Sequence, residues 1–133
     1  MGAWGHQAFE NDDALDWVAD LEAADDLSPC LEALDAIPMK ADDYVEAPAA
    51  ALALAAAEVV AALLGHPTRS LPNEVSAWVA GQQAVKLAVL NNAKRTVKRV
   101  LQNSELLELW KGSKDFAKWK ACVEDLLKRL SEQ

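Results

Sequence analysis

The stretch from Pro48 to Leu64 reads PAAALALAAAEVVAALL, and it decides the fold that we predict. It is apolar on all sides apart from Glu58, and Gly65 and Pro67 follow it as residues that end helices. A helix without a polar face is buried in a protein core or crosses a membrane. An Ala-rich stretch of 17 residues interrupted by an acid is short and weakly hydrophobic for a membrane span. We therefore predict a buried central helix.

Helical periodicity continues from this stretch towards both ends of the chain, and no run of alternating β-branched residues competes with it. The other predicted helices begin at or just after Asn11, Ser28, Asn73, Ala84, Asn103 and Ser113. We therefore predict an all-α fold in which residues 1–133 form a single compact bundle of about six or seven helices. Residues 1–10 are predicted to form an irregular arm packed on this bundle.

The composition is that of one globular domain, with 133 residues, a net charge of −8 and 52% hydrophobic side chains. Cys30 and Cys122 are too far apart in sequence to form the cysteine pair of a zinc ribbon or a thioredoxin. We find neither a phosphate-cradling glycine motif nor a nucleophile-elbow motif, and we expect no cofactor, no metal and no membrane partner. The first ten residues have no secretory signal, so we expect a cytoplasmic protein.

Charge is divided unevenly between the two halves of the chain. Residues 1–66 contain fourteen acids and one base, a formal charge of −13, whereas residues 67–133 contain seven acids and twelve bases, a charge of +5. Phosphate contacts need clustered Lys and Arg, so the acidic half argues against duplex nucleic acid as the main partner. The second half contains a basic cluster of Lys94, Arg95, Lys98 and Arg99. Like charges at i,i+4 repel mildly, and we expect the acidic half to lie opposite them, with RNA or anionic lipid as the alternative.

Three acids of the first helix form the candidate partner-binding surface. Asp13, Asp16 and Asp20 recur on one side of this helix, while Trp17 and its apolar neighbours face the core. The three carboxylates are therefore presented together on a rigid backbone. We predict that they bind a basic protein, so that the molecule acts as a non-enzymatic interaction module, for example an inhibitor or an immunity factor.

Glu58 is the candidate buried acid, and it supports a different hypothesis. A carboxylate in an apolar helix must be protonated or paired with an Arg, Lys, Trp or backbone donor. Its structural interpretation is an anchor between elements. Its functional interpretation is an acid beside a pocket with Trp4 and His66, in a small enzyme or ligand-binding protein. His66 follows the central helix, where we expect it to meet exposed backbone carbonyls.

Five segments of the chain stand out together: MGAWG at 1–5, FENDDA at 9–14, DW at 16–17, AAAEVVAALLG at 55–65 and SELLELW at 104–110. In these segments the chain resembles a bacterial family catalogued as domain of unknown function 4259. The resemblance extends over nearly the whole chain and implies a small bacterial protein. It implies no activity, because it brings no catalytic residues with it.

Overall fold

A single helix, α3 (Ala47–Leu63), organises the computed structural model, which describes residues 5–40 and 42–131. Nearly all residues of α3 from 50 to 62 are buried, and α3 packs against each of the six other helices in these residues. Its many alanines end at Cβ, so neighbouring helices can approach the α3 backbone closely. The predicted central helix is confirmed, shifted by one residue at each end.

The six helices around α3 are α1 (Asp12–Glu22), α2 (Ser28–Asp35), α4 (Asn73–Ala80), α5 (Leu87–Gln102), α6 (Glu105–Lys111) and α7 (Phe116–Ser131). With no β-sheet in the part of the chain that the structure describes, the predicted all-α bundle is confirmed. The longest of its helices, α3, has 17 residues. None of the seven described helices combines the length and the apolar character that a membrane crossing needs.

Both ends of α3 are closed by hydrogen bonds. At the C-terminal end, Gly65 takes a positive φ of 88°, a conformation that glycine adopts without steric strain. The amide of Gly65 donates to the carbonyl of Ala62, and the amide of His66 donates to that of Ala61. At the N-terminal end, the amide of Ala47 donates to Oε1 of Glu105 at 2.7 Å. A side chain of α6 therefore caps α3 from a distant part of the sequence.

The observed helix cap is the predicted residue for α1, but not for α2 and α6. Asn11 caps α1 as expected, because its Oδ1 accepts from the amide of Ala14 at 2.8 Å. Ser28, expected to cap α2, is instead the first residue of that helix. Ser104, rather than the expected Asn103, caps α6 with its hydroxyl, which also donates to a carbonyl of α5. That second bond holds Ser104 in the cap position.

The basic cluster of α5 contains exposed and buried members. Arg95 and Lys98 are exposed, whereas Arg99 is buried. Arg99 donates hydrogen bonds to the backbone carbonyls of Pro38, Lys40 and Asp43. A guanidinium carries five N–H donors in a planar fork, which lets it bind several carbonyls at once. The acidic half of the chain therefore does face Arg99, and the loop before α3 binds this residue through its backbone carbonyls.

Candidate functional site

One side of α1 is buried and the other is acidic. The buried residues are Ala14, Trp17, Val18 and Leu21. The exposed side includes Asp13, Asp16 and Asp20, which we call the acidic stripe. Among ion pairs between residues that the structure describes, none joins a carboxylate of the stripe to a base. At 1.5 Å per residue, the stripe extends for about 10 Å along the helix.

A cavity of about 190 Å³ lies at the start of the acidic stripe, between the loop before α1 and helices α3, α6 and α7. We call it the N-terminal cavity. Its apolar wall is formed by Pro48, Ala51, Leu54, Leu106, Leu109, Trp110, Trp119, Val123 and Leu126. Trp110 and Trp119 are stacked, with ring centroids 6.3 Å apart and planes 10° apart. Both tryptophans are almost fully buried and contribute aromatic groups to this wall.

The loop from Gly5 to Asn11 closes the other side of the cavity. Its amide at Gln7 donates to Oε1 of Glu10 at 3.2 Å, and the amide of Glu10 donates to the carbonyl of Gln7 at 3.1 Å. Oε1 of Gln7 accepts from the hydroxyl of Ser70 at 3.0 Å, which fastens the loop to the segment after α3. The carboxyl group of Glu10 lies against Gly5, where a Cβ atom would be 2.5 Å away and would require the Glu10 side chain to shift.

Glu58 contributes to the wall of the cavity and is only 5% exposed. Its Oε1 and Oε2 accept from Nη1 and Nη2 of Arg129 at 2.8 and 3.0 Å, a two-pronged ion pair between α3 and α7. The Nε of Arg129 donates to Asp125, and its Nη1 also donates to the carbonyl of His66. The expectation that Glu58 is paired is confirmed, and the partner is an arginine.

Burial controls the pKa values around the cavity. It raises the pKa of Glu58, although the hydrogen bonds and charge of Arg129 act in the opposite direction. Burial also raises the pKa of the Cys122 thiol, and the carboxylates of Glu58, Asp125 and Glu10 raise it further. The thiolate is the nucleophilic form of cysteine, so this environment disfavours a reactive Cys122.

The structure brings some of the predicted site residues together and separates others. Glu58 lies on the cavity wall, and Asp13 belongs to both the acidic stripe and the cavity lining. Trp4 lies outside the described residues. His66 is not among the residues that line the cavity, and its backbone closes the C-terminal end of α3. His6 does line the cavity, although no spacing pattern in the loop could have indicated this.

No group of three His, Cys, Asp or Glu side chains within residues 5–40 and 42–131 has the arrangement of a metal site. The carboxylates of the acidic stripe follow one another along a helix, whereas a Ca²⁺ or Mg²⁺ site needs oxygen atoms that converge on one point. The candidate site is therefore an extended acidic surface beside an apolar cavity.

Comparison with known families gives one match. Residues 2–122 match the model of a domain of unknown function, DUF4259. Because this match covers most of the chain, the protein belongs to the DUF4259 family. Neither a curated protein nor a solved structure matches the chain. The family resemblance found in the sequence is thus confirmed, and it assigns no activity.

Proposed function

We propose that this DUF4259 protein is a non-enzymatic interaction module that binds a basic protein through the acidic stripe. The observation that carries the proposal is the state of Asp13, Asp16 and Asp20. All three are exposed on one helix whose opposite side is fixed in the core, and no described base pairs with them. Such carboxylates are already positioned for a partner.

The electrostatics of the first half of the chain favour this type of partner. Residues 1–66 carry a formal charge of −13, and the stripe lies within them. Charge of one sign steers an oppositely charged protein into encounter and raises the association rate at low salt. A small rigid body with this surface would block a basic cleft, as an inhibitor or an immunity factor does.

The groups near the cavity support a non-enzymatic function. General acid–base catalysis needs a group that is free to exchange a proton with a substrate. Both oxygens of Glu58 already accept hydrogen bonds from Arg129. Nucleophilic catalysis at Cys122 would need a thiolate, and the raised pKa opposes its formation.

The test compares two charge-reversal variants of equal net charge. The first carries Asp16→Lys and Asp20→Lys, both in the acidic stripe. The second carries Glu32→Lys and Glu124→Lys, at exposed positions of α2 and α7. Asp13 is left unchanged, because an acid in the first turn favours the helix dipole and because Asp13 also lines the cavity. Circular dichroism verifies that both variants are folded.

Wild type and both variants are immobilised and exposed to a lysate of the native host. We expect a basic protein to be captured by wild type and by the α2/α7 variant and to be lost with the stripe variant. Its association rate with wild type should fall as salt rises, because exposed charges are screened beyond about 8 Å at physiological ionic strength. Identical sets of captured proteins for the two variants would contradict the proposal.

A further inference from the structure

We propose that the N-terminal cavity is a binding site for a small organic cation, an amine attached to a single ring or a short aliphatic chain. The volume of the cavity limits the size of the ligand. An engineered apolar cavity of about 150 Å³ in another protein accommodates benzene. A cavity of about 190 Å³ therefore has room for one ring and a short substituent.

The apolar wall provides the binding energy for such a ring. It combines aliphatic side chains from α3, α6 and α7 with the stacked rings of Trp110 and Trp119. Aromatic faces attract both an apolar ring and a neighbouring positive charge. Every buried side-chain nitrogen and oxygen atom in the described residues already has a hydrogen-bond partner. The ring or chain of the ligand would therefore be bound by apolar contacts and not by an unpaired buried polar group.

The charge around the cavity selects the head group of the ligand. The described lining residues include Glu58 and Asp13 but no Lys or Arg. The carboxyl group of Glu10 lies directly against Gly5, another lining residue. Burial is the main reason that the pKa of Cys122, also in the lining, is raised; nearby carboxylates add to this shift and Arg129 acts against it. Because Arg129 balances the charge of Glu58, the carboxylates of Asp13 and Glu10 make the surroundings of the cavity negative.

Arg129 does not provide a site for an anionic ligand. Its Nε donates to Asp125, its Nη1 donates to Glu58 and to the carbonyl of His66, and its Nη2 donates to Glu58. A carboxylate or phosphate would have to break this network and would also meet the negative surroundings of the cavity. A cation gains from the same surroundings, which makes the amine the favoured class.

Three probes with one ring and different head groups test this assignment. Benzylamine, benzyl alcohol and benzoate are titrated separately into the full-length ¹⁵N-labelled protein, and amide chemical shifts are recorded. We expect saturable shifts at cavity residues such as Ala51 and Leu126, with a Kd for benzylamine of about 1 mM or below. Benzoate should bind at least about tenfold more weakly than benzylamine. Absence of saturable shifts, or equal or tighter binding of benzoate, would overturn the proposal.

Two substitutions on α3 locate the site. Ala51→Leu places three additional carbon atoms at a position that lines the cavity, whereas Ala49→Leu makes the same change at a half-buried position outside the lining. We expect Ala51→Leu to abolish the shifts caused by benzylamine and Ala49→Leu to retain them, with circular dichroism as the control for folding. If Ala51→Leu binds like wild type, the cavity is not the site.

A second pair of variants tests the head-group preference without filling the cavity. Asp13→Asn removes a carboxylate from the lining, whereas Asp20→Asn removes one from α1 away from the lining. We expect the ratio of benzylamine to benzoate affinity to fall about two- to fivefold for Asp13→Asn only. Equal ratios in both variants would contradict a role for the lining charge. Capture of a protein partner is measured in parallel, because it depends on Asp16 and Asp20 and should survive Ala51→Leu.

Discussion

Glu58 and the acidic stripe contain the same chemical group in two opposite surroundings. Glu58 is buried in α3, and the fold provides Arg129 as its counter-charge. Asp16 and Asp20 are exposed on α1, and no described base pairs with them. A carboxylate removed from water requires compensation within the protein, whereas water itself stabilises an exposed one. The exposed carboxylates are therefore the ones that remain available to a partner.

The ion pair at Glu58 also determines how two helices are joined. Arg129 reaches from α7 to a carboxylate on α3 while its Nε is held by Asp125 on its own helix. Among the described residues, no ion pair connects the acidic stripe to another helix, and α1 is attached to the bundle through its apolar side. Changes at Glu58 should therefore affect stability strongly, and changes in the stripe should affect it little.

The largest effect is expected for Glu58→Ala. The substitution removes the carboxylate that Nη1 and Nη2 of Arg129 bind, on a side chain only 13% exposed, and leaves a void between α3 and α7. Removing one partner of a buried ion pair costs about 3–5 kcal/mol of unfolding free energy. Urea denaturation followed by circular dichroism measures the change. A loss below about 1 kcal/mol would show that the pair does not join these helices.

A smaller effect is expected when the volume at Glu58 is kept. Glu58→Leu should cost roughly 2 kcal/mol of unfolding free energy, less than Glu58→Ala, because leucine fills the space but still removes the acceptor oxygens that face Nη1 and Nη2 of Arg129. Adding Arg129→Leu should restore much of this loss, since buried ion pairs are often replaced by apolar residues at little cost. A double variant as unstable as the sum of the two single variants would mean that the two residues are not coupled.

The pH dependence of stability is the third prediction. The pKa of Glu58 in the folded protein is raised above the ordinary value of 4.5. The folded state therefore binds this proton more tightly, and the resulting stabilisation is complete below about pH 4.5 and is lost as the pH rises through the folded pKa. The stability advantage of wild type over Glu58→Gln should thus shrink as the pH rises above about 4.5. An advantage that grows with pH would contradict the raised pKa.

Local sequence patterns predicted the helices well, because helices depend on neighbouring residues. The apolar stretch of α3 and the cap at Asn11 could both be identified from spacing and residue type. The partner of Glu58 could not, because Arg129 lies 71 positions away and only the packing of α7 brings it close. The cap that Glu105 places on Ala47, 58 positions away, was hidden for the same reason.

The candidate site was only partly predictable. Asp16 and Asp20 could be placed on an exposed surface, because the apolar residues of α1 reveal which side is buried. The cavity could not be outlined, since the loop residues that close it, His6 among them, follow no periodicity. Its walls come from four separate parts of the chain, and the sequence contains no signal for their meeting.

The most direct test makes the same chemical change, carboxylate to amide, at Glu58 and in the acidic stripe. Urea, which does not screen charges, unfolds wild type, Glu58→Gln and the double variant Asp16→Asn with Asp20→Asn at neutral pH and low salt. We expect Glu58→Gln to lower the free energy of unfolding by about 1–3 kcal/mol. The NH₂ group of the glutamine is a donor and would face the N–H donors of Arg129. The stripe variant should have the same free energy of unfolding as wild type, or one about 0.2–0.5 kcal/mol higher, because the i,i+4 repulsion between Asp16 and Asp20 is removed. A loss above about 1 kcal/mol in the stripe variant would show that the fold itself uses these carboxylates, and would contradict their availability to a partner.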